Sequence, residues 1–166
     1  MIAEINKKQD IRIAVVMAII SLKIILLAFN ENWIKGEEQS DSISFYPTLE
    51  SASDNDPEEF SIVTFPSESK TLQQIINDIT KYNGEQNKDT SDFHLIESKP
   101  IVLKDGHAHK LIFTYQDPEF GNLKTMITVL IRDSRTYEIA YHSHPQNYST
   151  YVPIVQKMID SFEIIK

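Results

Sequence analysis

The chain has 166 residues, 41% of them apolar, which suits one domain with a normal core plus an additional segment. It contains no cysteine, which excludes disulfides, thiol nucleophiles, iron–sulfur ligation, a lipoprotein cysteine and any thiolate zinc site. Net charge is −8, and residues 1–29 hold four basic against two acidic side chains, so the rest of the chain carries −10. An acidic body with no basic stripe repels nucleic-acid backbones and excludes them as partners.

Residues 13–29, IAVVMAIISLKIILLAF, form an apolar run broken only by Lys23. A bilayer core of roughly 30 Å takes ~20 apolar residues, so the run is short but within range, and the stem of Lys23 can snorkel. Lys7, Lys8 and Arg12 precede it and only Lys35 follows closely. The positive-inside rule then places the N-terminus in the cytoplasm and the body outside. Residues 26–30, LLAFN, lack a small-x-small pattern, so the expectation is an uncleaved signal anchor, a hydrophobic helix, and a secreted body only if cleavage occurs. A buried core helix is the alternative, and a further one is that Met1 is not the natural start.

Residues 30–42 are polar apart from Trp33 and read as a linker, followed by the main domain at 43–166. Ile43–Tyr46 and Phe60–Phe65 read as strands closed by Pro47 and Pro66, with a polar loop between them. Leu72, Ile75, Ile76, Ile79 and Tyr82 share one face of a helix over 72–82. Thr71 and Gln74 make a capping box for it, and Gly84 stands at a C′ position. Four extended runs follow, at 94–103, 108–116, 123–132 and 136–143, joined by short turns that imply adjacent antiparallel strands. Apolar residues on both faces of 123–132 call for a sheet covered on both sides. Tyr151, Val155, Met158, Ile159 and Phe162 define a closing helix, with Ser149 or Thr150 as cap and Pro153 in its first turn. The order is that of an α+β domain with a mainly antiparallel sheet between helices.

Chemistry-bearing patterns are few. His142 and His144 are two apart, as are His107 and His109, so each pair points to one face of a strand. Zinc or copper would need both pairs together, and the meander sets them roughly 25 Å apart. His142 and His144, with Glu138 on the same face, remain weak metal candidates against the plainer reading of solvated strand ends. Asp54, Asp56 and Glu58 alternate in an acidic loop that suits calcium, but the glycine and distal glutamate of an EF-hand are missing. Asn147-Tyr148-Ser149 is a glycosylation sequon, meaningful only outside the cytoplasm. No phosphate-binding glycine motif and no G-x-S-x-G occur, and no cofactor is implied.

The C-terminal half resembles the PsbP family. The resemblance lies in Gly106 and Ala108 leading into a strand, in Tyr137, Ile139 and Tyr141 closing the meander, and in Met158, Ile159, Ser161 and Phe162 closing the last helix. It covers roughly residues 33–166 and is nearest in kind to PsbP-like domains of archaeal membrane-anchored or secreted proteins. It implies an α/β/α sandwich around an antiparallel sheet. Plant members are extrinsic photosystem II subunits that help retain calcium and chloride, a distant relative binds the Ran GTPase, and none is known as an enzyme by virtue of this domain. The resemblance thus implies a non-catalytic accessory domain with a membrane-associated protein partner, contacted at a strand edge or near His142 and His144. A small-ligand or metal carrier for calcium, zinc or copper is the alternative. The family's first hairpin, which ends in Tyr-Pro before a tryptophan, has no counterpart in the LLAFNEN that precedes Trp33.

Overall fold

The computed structural model describes residues 13–20, 23–30, 33–48, 58–87 and 91–165. Seven antiparallel strands form the main sheet: β3 (Trp33–Glu38), β4 (Ser42–Pro47), β5 (Glu59–Pro66), β6 (Ser91–Leu103), β7 (Gly106–Asp117), β8 (Gly121–Arg132) and β9 (Arg135–Ser143). Their spatial order is β3-β4-β5-β9-β8-β7-β6. Helix α1 (Leu72–Lys81) lies on one face and α2 (Pro145–Ser161) on the other. This is the expected sandwich, and the four-strand meander β6–β9 follows the sequence pattern closely. The β8–β9 turn is a two-residue hairpin in which Asp133 and Ser134 both take positive φ, the geometry that matches the twist of the flanking strands.

Alternation within the strands divides the core in two. Tyr137, Ile139 and Tyr141 of β9, Met126 and Leu130 of β8, and Phe60 and Ile62 of β5 pack with Val155, Met158, Ile159 and Phe162 on the α2 side. Leu111 and Phe113 of β7 and Ile127 and Val129 of β8 pack with Ile75 and Ile76 on the α1 side. Burying each such side chain contributes about 1.5–3 kcal/mol, so the two layers hold the sheet from both faces.

Both helix ends depart from expectation. The capping box of α1 forms as read, with Thr71 N donating to Gln74 Oε1 at 2.8 Å and Gln74 N to Thr71 Oγ1 at 3.3 Å. Gly84 is not a left-handed cap. The chain continues in a π turn, Tyr82–Gln86, closed by Asn87 N donating to Tyr82 O at 2.7 Å. A Cβ at Gly84 would meet the Phe93 ring at 3.3 Å, so the glycine serves close packing there. Helix α2 begins not at Ser149 or Thr150 but at Pro145, behind His144 as N-cap. Proline is pre-organised for the first helical position and loses no intrahelical donor there. Pro153 consequently falls inside the helix.

The apolar run also departs from expectation. Its backbone forms two strands, β1 (Ile13–Ile20) and β2 (Lys23–Asn30), where a hydrophobic helix was expected. They pair antiparallel, with Ile13 opposite Asn30 and Ile20 opposite Lys23. A third strand, β10 (Glu163–Ile165), adds to β2 and was not anticipated. The physical reason is that an apolar run broken only by Lys23 carries no period, and its Ile and Val residues favour extended backbone. Among the described residues no helix is long and apolar enough to cross a membrane. Two strands therefore do precede Trp33, although without the sequence signature of a hairpin. β3 likewise occupies part of the segment read as linker, and Trp33 is buried, edge-on to Tyr151 at 5.8 Å between ring centroids.

Candidate functional site

A cavity of about 410 Å³ lies between α1 and the sheet. Strand periodicity builds its floor: Glu138 and His142 of β9, Ile127 of β8, and Phe113 and Tyr115 of β7 all project to the α1 side. The amphipathic helix supplies the other wall through Asp78, Ile79 and Tyr82. The meander register aligns the floor, since Phe113 faces Thr125 and Thr125 faces His142.

Two titratable groups mark the ends of this cavity. His142 Nδ1 lies 2.8 Å from the hydroxyl of Thr125, which is fully buried. Burial holds the His142 imidazole below its usual range, with Glu59 pulling the other way, and burial raises the Tyr115 phenol. Glu138 sits between Val63 on β5 and Val129 on β8. Burial pushes its carboxyl up, and it has no hydrogen-bond or ion-pair partner among the described residues. Asp78 differs, being paired with Lys70 at 3.2 Å. Glu138 and His142 are four residues apart on one strand, or ~13 Å, too far to act as an acid–base pair on one atom.

Other sequence-predicted residues go elsewhere. His144 caps α2, its Nδ1 lying 3.3 Å from the Asn122 carbonyl. Glu58 is 2% exposed and turned inward, accepting hydrogen bonds from Asn147 Nδ2 at 3.1 Å and Ser143 Oγ at 3.3 Å. Asp54 and Asp56, the other members of the acidic loop, lie outside the described residues. The sequon asparagine is thus in the first turn of α2 with its amide already engaged. His107 is exposed, and His109 Nε2 lies 2.8 Å from Ser98 Oγ. His109 stands across from Val129 and so in line with Glu138. The nearer members of the two histidine pairs are therefore roughly 17 Å apart, less than the sequence estimate but still beyond a shared ion. Among the described residues no group of three His, Asp or Glu converges as metal ligands would.

Sequence reasoning missed Phe113, Tyr115 and Asp78 as members of this site. Alternation in 108–116 puts Phe113 and Tyr115 on one face, but only the strand register aligns that face with His142.

A second surface feature lies beyond the reach of α1. Ile34 on β3 faces Tyr46 on β4, and Val63 on β5 lies opposite Ser42 on β4. These three are 56%, 42% and 37% exposed, on the face opposite to the buried Trp33, Phe45 and Ile62.

No family model and no curated protein matches the sequence. Solved structures do match in fold. Cyanobacterial PsbP (CyanoP) from Synechocystis superposes with a TM-score of 0.61 at 11% identity, covering 85% of this chain and 86% of that one. The Ran-binding protein Mog1p of Saccharomyces cerevisiae gives 0.60 at 9% identity, covering 93% and 96%. LpqN of Mycobacterium tuberculosis, involved in cell envelope biogenesis, gives 0.61 at 13% identity, covering 95% and 92%. At such identities the likeness is one of fold, and the chain has the PsbP-like fold.

Proposed function

We propose that this chain is a non-catalytic accessory domain that binds a protein partner through the open face of β3–β5. The observation that carries the reading is the cross-strand pair Ile34 and Tyr46, exposed together on the edge strand β3 and its neighbour β4, with Val63 exposed on the same face four residues further along. Clustered apolar exposure beside an unpaired strand edge is a feature of interaction surfaces. The fold supports it, because a Ran-binding protein shares it. The separation of Glu138 and His142 supports a non-catalytic role.

A photo-cross-linker replacing Tyr46 in the native cell tests this. One discrete partner, lost in Ile34→Ser while the melting temperature stays unchanged, is expected. Retention of the partner in that variant, or no adduct at all, removes the reading.

Lys7, Lys8 and Arg12 ahead of the apolar run support a location outside the cytoplasm if that run spans a membrane. The pairing of β2 with β10 favours that run as part of the fold over a bilayer span. Intact mass of the native protein in membrane and soluble fractions decides the location.

A further inference from the structure

We propose that the cavity between α1 and β7–β9 binds an organic cation, an ammonium, amidinium or guanidinium head on a short apolar body, with Glu138 as its counter-ion. Size, charge and lining each point there. A volume of about 410 Å³ is that of a small-ligand pocket. Asp78 and Glu138 line it, and no lysine or arginine does. Asp78 already has an ion-pair partner in Lys70 at 3.2 Å, whereas Glu138 has none among the described residues. Holding an unpaired carboxylate half-buried on a central strand is costly, and a bound cation offsets that cost.

The walls select the kind of cation. Ile79, Ile127 and Phe113 present hydrocarbon and ring faces that a hydrated metal ion cannot use, while an organic cation can. Tyr82, 53% exposed at the end of α1, offers a further ring face to a cation. At the far end, His142 is held by Thr125 through Nδ1, so its Nε2 is the atom left to meet a polar group on the ligand's tail. An anion is disfavoured by the sign of the site. The cation can arrive free in solution or as a lysine or arginine side chain of a protein partner. This site adjoins the β3–β5 face where Val63 pairs with Glu138, but cross-linking at Tyr46 and titration with benzamidine read the two separately, so either proposal can fail without the other.

The test titrates the full chain with benzamidine, with its neutral analogue benzamide, and with N-acetyl-arginine methylamide, following the His142 and Tyr115 side-chain resonances. Saturable shifts with benzamidine but not benzamide are expected. Glu138→Gln should weaken binding about tenfold or more, the effect of removing a charge-assisted contact. Tyr82→Ala, at an exposed position, should weaken it several-fold through the lost ring contact. Tighter binding of the arginine derivative identifies a partner's side chain as the source, and tighter binding of benzamidine identifies a free amine. No saturable shift with either cation, equal binding of benzamide, or unchanged affinity in both variants overturns the proposal.

Discussion

The buried carboxylate of Glu58 accepts a hydrogen bond from Asn147 Nδ2 at 3.1 Å, which ties the entry of β5 to the first turn of α2. Ser143 Oγ adds a second bond at 3.3 Å. Glu58→Ala leaves both donors without this acceptor in a site that is 2% exposed. It is expected to cost about 1–3 kcal/mol in urea unfolding, and Glu58→Gln less. A solvated Glu58 would give two variants within error of the parent.

Trp33 tests whether β3 belongs to the body. It is 4% exposed and meets Tyr151 of α2 and Tyr141 of β9. Trp33→Ala is expected to lower stability by about 3–5 kcal/mol, the range for removing a large core aromatic. Were residues 30–42 a linker, the loss would be within ~0.5 kcal/mol.

The meander was legible because its runs are rich in strand-forming residues and its turns are short, although two irregularities in the β6–β7 pairing leave no trace in the local pattern. Alternation along β9 also brings Glu138 and His142 to one face. What sequence could not show is which face α1 covers, since Ile75 and Ile76 mark only the side of the helix that is buried. Glu58 was misread for the same reason: an acidic residue among acidic neighbours looks solvated until Asn147, 89 positions later, folds against it. The apolar period of α2 begins only at Tyr151 and hides its true start, because Pro145 sets the first turn.

His142 predicts acid lability. Its folded-state pKa is lowered by burial, so the unfolded chain binds protons more readily. Stability is fully present above the usual value of 6.5 and declines as pH falls below it. Thr125 bonds it, Glu59 moderates the shift, and Asp78, Tyr82, Asn83, Tyr115 and Glu138 are the polar groups that line the same cavity. Melting temperature should drop between about pH 7.5 and 5, the window in which an ordinary imidazole titrates, more steeply in the parent than in His142→Gln. His109, also lowered by burial, supplies a residual slope. Parallel profiles for the two proteins would place His142 in solvent.

Glu138 has the opposite sign. Burial raises its folded-state pKa above the usual 4.5, so the folded chain retains the proton to higher pH than the unfolded one. Stability is therefore lost as pH rises from 4.5 through the folded value. Glu138→Gln removes the buried charge, so at neutral pH it should melt higher than the parent, with the difference closing under acid conditions. A lower melting temperature at neutral pH would mean that the carboxylate has a cationic partner in the free protein.

Residue Ile25 decides what the apolar run is. In β2 it pairs with Ala18 on one side and Ile164 on the other, so it lies in the middle of a three-stranded sheet. Proline there withdraws a ladder donor from a strand paired on both sides and forces a fixed φ on it. If β1 and β2 complete the fold, Ile25→Pro should lower the stability of the whole domain by about 3 kcal/mol, because β10 and α2 both rest on β2. Amides of Ile164 and Ile165 should then exchange faster. If residues 13–29 form an anchor apart from the body, the same substitution leaves the melting of 33–165 unchanged and alters only membrane retention. Measuring both on one variant separates a strand that holds the C-terminus from a segment that holds a membrane.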